Sequence, residues 1–216
     1  MRETTKHPGH LPRWRLRLML LLLAALCSCQ AGAEKPGKKK AADEPAPSPQ
    51  VKTLAKIKLT SSAFDEGEPI PKKFTGEGAD VSPPLEWSDL PEGTKELALI
   101  CDDPDAPRKE PWVHWVIYKI PAGSKGLPEG VEATAQPKEP AGALNGRNSW
   151  PGDENLGYRG PMPPPGHGRH RYYFKLYALD QALDVESGLT KQGLLRQISG
   201  HVLGEGRLMG TYERKK

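Results

Sequence analysis

Two carboxylates and two imidazoles are the groups in this chain best placed to do chemistry. Asp103 and Asp105 lie in Asp102-Asp-Pro-Asp-Ala-Pro107, His114 in Val113-His-Trp-Val116, and His170 in Arg169-His-Arg-Tyr172. Pro104 and Pro107 fix the local backbone and withhold donors, so an apolar run must end here and the carboxylates sit in a stiff turn. Alternation puts Asp103 and Asp105 on one side of an extended chain, and His170 and Tyr172 together on one face of a strand. Alone, an Asp-rich turn is most simply a set of backbone caps, and a histidine opening an apolar strand is most simply a core side chain. The stiff Pro/Gly segments beside both histidines are what would gather these groups in one place.

Four chemistries can be tested on them. His114, His170 and one Asp would make a facial metal set, but the chain has no HExxH, no paired Cys and no close His spacing, so neither a metal nor a cofactor is expected. Covalent hydrolysis lacks a GxSxG elbow; Ser82 stands on a Pro-Pro corner, and Cys101 lies inside an apolar strand where thiols are inert. Gly76-Glu-Gly78 and Gly204-Glu-Gly206 lack the spacing of a phosphate-cradling loop. No catalytic residue is assigned, and an enzyme is not expected. The remaining option is non-covalent binding: imidazoles, the Tyr172 hydroxyl and backbone N–H groups donate to a phosphate or carboxylate, while Asp103 or Asp105 accepts from an amine. Both signs in one pocket suit a zwitterion better than a bare phosphate.

The elements that must position these groups are mostly strands. Gly and Pro, 23 of each, punctuate short apolar runs, which favours a loop-rich, mainly β protein. Residues 97–101 are continuously apolar, as in a central strand covered on both faces. Residues 113–118 and 172–179 are rich in β-branched and aromatic side chains. Period two places His114, Val116 and Tyr118 on one face and Trp115 and Ile117 on the other. Only Leu194, Leu195, Ile198 and Val202 recur at helical spacing, between Thr190 and Gly204. The passage 121–171 is dense in Pro, Gly and Asn, and a segment of that length is where a site is expected.

The first 50 residues have another purpose. Clustered basic residues, Arg13, Arg15 and Arg17, precede an apolar stretch at 18–26, which is a signal-peptide layout too short for a spanning helix. Leu26-Cys-Ser-Cys29 fits a bacterial lipobox, so residues 1–28 are expected to be removed and Cys29 lipidated; cleavage after Ala31-Gly-Ala33 is the alternative, giving a soluble periplasmic or secreted form. Residues 29–50, with the Lys38-Lys-Lys40 run, have no apolar period and read as a disordered tether, leaving 51–216 as one domain. Of 31 Lys plus Arg and 27 Asp plus Glu over 216 residues, 22 and 23 fall in 51–216, so the formal charge of +4 belongs to leader and tether. A nucleic-acid partner is therefore not expected. Cys101 alone remains in the folded part, which excludes a disulfide framework.

Read together, these motifs resemble the phosphatidylethanolamine-binding protein family, also called Raf-kinase-inhibitor-like proteins. The resemblance rests on Asp103-Pro-Asp-Ala-Pro107, Trp112-Val-His-Trp-Val116 and Gly160-Pro-Met-Pro-Pro-Pro-Gly-His-Gly-Arg-His-Arg-Tyr172. It is supported by Val81-Ser-Pro-Pro-Leu-Glu-Trp87, Asn155-Leu-Gly-Tyr-Arg-Gly160, Gly200-His-Val-Leu-Gly204 and Gly210-Thr-Tyr-Glu-Arg214, and covers roughly residues 55–214. The short Val-His-Trp-Val form is typical of the bacterial branch. The resemblance implies a large antiparallel sheet packed on a smaller one, a helix near the C-terminus, and an anion-binding cavity at one end. It implies a cavity lined by Asp103, Asp105, His114, Pro164, Gly166, His170 and Tyr172. His114 and His170 would donate to the anion, with affinity rising on mild acidification, and the aspartates would orient them or accept from an amine. Asp80 stands where many relatives carry Asn, and Gly204 falls in the expected helix where relatives often have Ala. The expected partners are a small anionic or zwitterionic ligand such as a phospholipid headgroup, the membrane through the lipid anchor, and, as the alternative role, a cell-envelope protease or kinase-like target that the domain restrains.

Overall fold

The computed structural model describes residues 53–152 and 155–216. The expectations for the leader, Cys29 and the tether lie outside them. Eight strands form, β1 (Ala55–Thr60), β2 (Leu85–Ser88), β3 (Glu96–Asp103), β4 (Trp112–Pro121), β5 (Gly126–Leu127), β6 (Leu144–Asn145), β7 (His170–Leu179) and β8 (Val202–Tyr212), with helix α1 (Lys191–Ile198) before the last. Their hydrogen-bonded order is β5-β2-β1-β8-β7-β3-β4-β6. Every neighbouring pair is antiparallel except β1 with β8, which run parallel. Strand β1 serves two sheets: Ala55 to Ile57 pair with Gly204 to Gly206, and Lys58 to Thr60 pair with Ser88 to Glu86. The chain therefore crosses from the large sheet into a small three-stranded one within a single strand.

Strand β3 lies between β4 and β7 and is buried on both faces, which is why its sequence shows no polar alternation. Leu97, Leu99 and Cys101 join Leu85, Trp87 and Leu127 of the small sheet in the larger core. Ala98 and Ile100 join Val116, Tyr118, Leu194 and Ile198 in a second core beneath α1. Each fully buried aliphatic side chain contributes about 1.5–3 kcal/mol by transfer from water. The sheet's end, where β3, β4 and β7 carry Asp103, His114 and His170, is thus held by apolar packing on both sides.

The helix is shorter than the sequence period implies. Thr190 caps it, its hydroxyl accepting from the Gly193 N–H at 3.1 Å, and Leu194 and Ile198 are buried. Gly200 then adopts φ of +84°, the left-handed geometry that stops a helix, and Val202 opens β8 instead of completing another turn. Gly204 is accordingly not a helix residue. A Cβ there would stand 2.8 Å from the Ala55 carbonyl oxygen, and one on Gly206 would stand 3.0 Å from that of Ile57. Glycine at these positions lets β1 approach β8 closely.

Buried amides organise the passage between β4 and β7. Asn145 accepts from the Trp115 indole N–H at 3.0 Å and donates to the Glu132 and Thr134 carbonyls at 2.8 Å each. Asn148 donates to the Gly157 carbonyl at 3.1 Å and accepts from the Trp150 N–H at 3.0 Å, which fixes Trp150.

Candidate functional site

Period two alone places His114 on the helix side of β4, with Val116 and Tyr118, and here the structure differs. Cys101 pairs with Trp115 while the next residue, Asp102, pairs with Val113, so His114 is the extra residue of a β-bulge. A bulge re-aims one side chain without changing the rest of the ladder. The His114 ring turns toward Tyr172, with centroids 5.0 Å apart, and Tyr172 belongs to the core opposite that of Val116 and Tyr118. His114, Tyr172, His170, Asp103 and Pro164 line one cavity of about 280 Å³.

Two expected residues stand elsewhere. Asp105 turns outward, accepting from the Arg171 backbone N–H and Nε at 2.9 Å each and from Nη2 at 2.6 Å; these bonds hold its carboxyl below the usual carboxylate range. It lines a separate outer hollow. Gly166, at φ of +73°, follows Pro165 in a turn closed by the His167 N–H on the Pro164 carbonyl at 3.1 Å. Its task is the left-handed step after a proline, not the cavity wall.

The histidines are held in different ways. His114 is 2% exposed, and its Nδ1–H donates to the Arg159 carbonyl at 2.6 Å. Burial depresses its pKa to about 4, outweighing the Arg159 carbonyl that favours the charged ring. The ring is therefore neutral near pH 7, with Nε2 as a lone-pair acceptor. It does not become a donor on mild acidification, so that expected pH effect cannot come from His114. His170, 1% exposed, directs Nδ1 to Asp103 Oδ2 at 2.7 Å and Nε2 to His167 Nδ1, also at 2.7 Å. Asp103 Oδ1 accepts from the Asp105 N–H at 2.8 Å. Burial raises the Asp103 carboxyl above its ordinary range, with the His170 bond pulling the other way.

The Tyr172 hydroxyl is buried and has no hydrogen-bond partner among the described residues. Burial, reinforced by Asp103, pushes its pKa far up, so it stays a neutral O–H. A buried hydroxyl left unpaired costs about 1–3 kcal/mol, and Tyr172 is one of the residues that line the cavity.

Sequence reasoning missed the aromatic wall. Trp150 packs edge-on against His114 at 5.0 Å and Trp112 at 5.3 Å. The Arg108 guanidinium lies 4.3 Å from the Trp112 ring centroid at the rim. Arg159, which fixes the His114 tautomer through its carbonyl, pairs its side chain with Asp80 at 3.0 Å. Asp80 sits at φ of +57°, which Asp and Asn tolerate best, and its other oxygen accepts from the Gly160 N–H at 2.6 Å. Trp150 and Arg159 lie in irregular chain without period; the density of Pro, Gly and Asn pointed to this segment, and Arg159 falls within the Asn155-Leu-Gly-Tyr-Arg-Gly160 motif. Among the described residues, no group of three or more His, Cys, Asp or Glu side chains is arranged to hold a metal ion.

The family model for phosphatidylethanolamine-binding proteins matches residues 60–213. A UPF0098 protein of Methanothermobacter thermautotrophicus is 48% identical over 158 residues, covering 73% of this chain and 99% of that protein. The crystal structure of a phosphatidylethanolamine-binding protein homologue from Chlamydia trachomatis is 42% identical, with a TM-score of 0.64, covering 75% of this chain and 99% of that one. E. coli YbcL, described as a member of the mammalian family, is 33% identical with a TM-score of 0.67, covering 74% of this chain and all of that one. The fold and its relatives are those of a class of ligand-binding β-proteins. The chain belongs to the phosphatidylethanolamine-binding protein family.

Proposed function

We propose that the chain is an exported, lipid-anchored binding protein whose cavity takes a small phosphate-bearing or zwitterionic group of the phosphoethanolamine kind. The observation that carries this reading is the unpartnered hydroxyl of Tyr172, a residue that lines the same cavity as His114, whose Nδ1 is already engaged. The ligand must supply an acceptor to Tyr172 and a donor to His114. A phosphate oxygen meets the first need, and an ammonium or a protonated phosphate oxygen meets the second. His114 then accepts, where the motif alone had it donate. Asp103 adds negative charge beside the ammonium, and Trp150 and Trp112 shield the group from water.

Titration calorimetry with phosphoethanolamine on the wild type and Tyr172→Phe tests the pocket. The variant is expected to bind roughly five- to tenfold more weakly, and equal affinity would sink the reading. Export and anchoring rest on the basic residues before the apolar run at 18–26 and on Leu26-Cys-Ser-Cys29. Cys29→Ala should move the protein from the detergent phase to the aqueous phase in Triton X-114 partitioning. No change on that substitution would remove the anchor.

A further inference from the structure

The His167 imidazole occupies the one ring nitrogen of His170 that Asp103 leaves available. We propose that His167 is a built-in competitor for the ligand at His170, so that an anionic group reaches His170 Nε2 only by displacing the His167 ring. The proposal rests on the cavity being the ligand site and concerns how that site is regulated.

An imidazole nitrogen offers one hydrogen-bonding position, either an N–H or a single lone pair. His170 Nδ1 spends its position on Asp103 Oδ2, and Nε2 spends its own on His167 Nδ1, each at 2.7 Å. One hydrogen lies in the second gap whichever ring carries it, and a third heavy atom cannot share it with good geometry. Asp103 is itself engaged, by His170 on one oxygen and the Asp105 N–H on the other. While His167 is in place, His170 offers no free N–H, and Tyr172 is left to donate alone.

The contact is built to be releasable. His167 is exposed and stands between two glycines at φ of +73° and +90°, with open space where a Cβ on Gly168 would lie. Its N–H on the Pro164 carbonyl pins the backbone of the turn, and the Gly166 N–H on the Arg214 carbonyl at 2.9 Å pins the loop to the C-terminal segment. Displacing the ring therefore needs only side-chain rotation. The space beyond is an outer hollow of about 450 Å³ that also contains Arg169. His170 lines both this hollow and the inner cavity, so it is the partition between them. Ligand charge that draws His170 Nε2 away from His167 leaves the displaced ring on the exposed side.

Inorganic phosphate is the probe, titrated into the intact protein, His167→Ala and His114→Ala. Removing the competing ring should raise phosphate affinity roughly two- to tenfold, because a net hydrogen bond no longer has to be broken. His114→Ala should lose binding. In wild-type protein with 15N-labelled histidine, phosphate saturation should return the His167 Nδ1 signal to a solvent-exposed value, a change a merely structural contact would not show. Equal or weaker binding by His167→Ala, or a His167–His170 contact that persists at saturation, overturns the proposal while leaving the cavity assignment intact. Absence of phosphate binding in both the wild type and His167→Ala, with the imidazole contact visible, overturns the cavity reading and the competition with it.

Discussion

Protonating His114 works against the fold, and the size of the effect can be worked from its surroundings. In the unfolded chain its pKa is about 6.5, whereas burial brings it to about 4 in the native protein. Between these values the unfolded state binds more protons, so stability is complete above the unfolded value and is lost as the pH falls toward the native one. From about pH 7 to pH 5 the loss is about 2 kcal/mol, rising to about 3 kcal/mol near pH 4. Asp103 acts in the opposite sense. Its raised carboxyl lets the native state hold a proton that the unfolded chain has given up, so acidification toward the unfolded carboxylate value returns some stability and offsets part of the His114 loss. Urea unfolding followed by tryptophan fluorescence reads the balance, since Trp115 and Trp150 are both in or near the affected region. Comparing wild type with His114→Asn removes the Asp103 contribution, which both proteins share. The wild type should lose about 2 kcal/mol more than the variant between about pH 7 and pH 5. Parallel pH profiles would mean that His114 is not buried as a neutral ring, and the acceptor role of Nε2 would fall with it.

Three further outcomes are expected. Tyr172→Phe removes an unpartnered buried hydroxyl, so the unliganded protein should melt at the same or a higher temperature, with up to about 1 kcal/mol gained; a clear loss of stability would show that the hydroxyl has a partner. Gly210→Ala would place a Cβ 2.5 Å from Ile70 Cγ1 and 2.7 Å from Phe64 Cε2. Overpacking of this kind costs about 1–3 kcal/mol in urea denaturation, whereas a neutral result would mean that β8 can shift freely. Asn145→Ala strips the Trp115 indole and two loop carbonyls of partners, for a loss of about 2–4 kcal/mol in urea denaturation, and an unchanged stability would contradict the role given to these three bonds.

What could be read from the amino acids followed periodicity, and what could not followed exceptions to it. Leu97 to Cys101 showed as a doubly covered strand because both faces meet apolar partners. His170 and Tyr172 share a face because β7 keeps strict alternation. His114 was assigned by period to the wrong face, since the inserted bulge residue has no sequence signal apart from its pairing partners. Strand β8 went unseen because Gly204, Gly206 and Gly210, which weaken strand propensity, are required by close neighbours far away in sequence. Trp150 lies in irregular chain and Asn145 in the two-residue strand β6, where position is set by amide hydrogen bonds that no period announces. Asp105 matched the motif, yet Arg171, next to His170, draws its carboxylate out of the cavity.

The two histidines at the end of the sheet divide the labour by what holds their Nδ1 atoms. A backbone carbonyl on Nδ1 commits His114 to the tautomer whose Nε2 accepts, and burial keeps that ring neutral. At His170 the Nδ1 partner is instead the Asp103 carboxylate, and Nε2 meets His167 Nδ1. On the proposed reading, the His114 acceptor and the Tyr172 hydroxyl meet the two signs of a zwitterion from different residues lining one cavity. His167 then decides when His170 Nε2 is available. Replacing the support behind His114 would change the cavity: a carboxylate there would favour the charged form of the ring. The pocket's preference is therefore written less in the presence of two histidines than in the bulge that lays one of them against the Arg159 backbone.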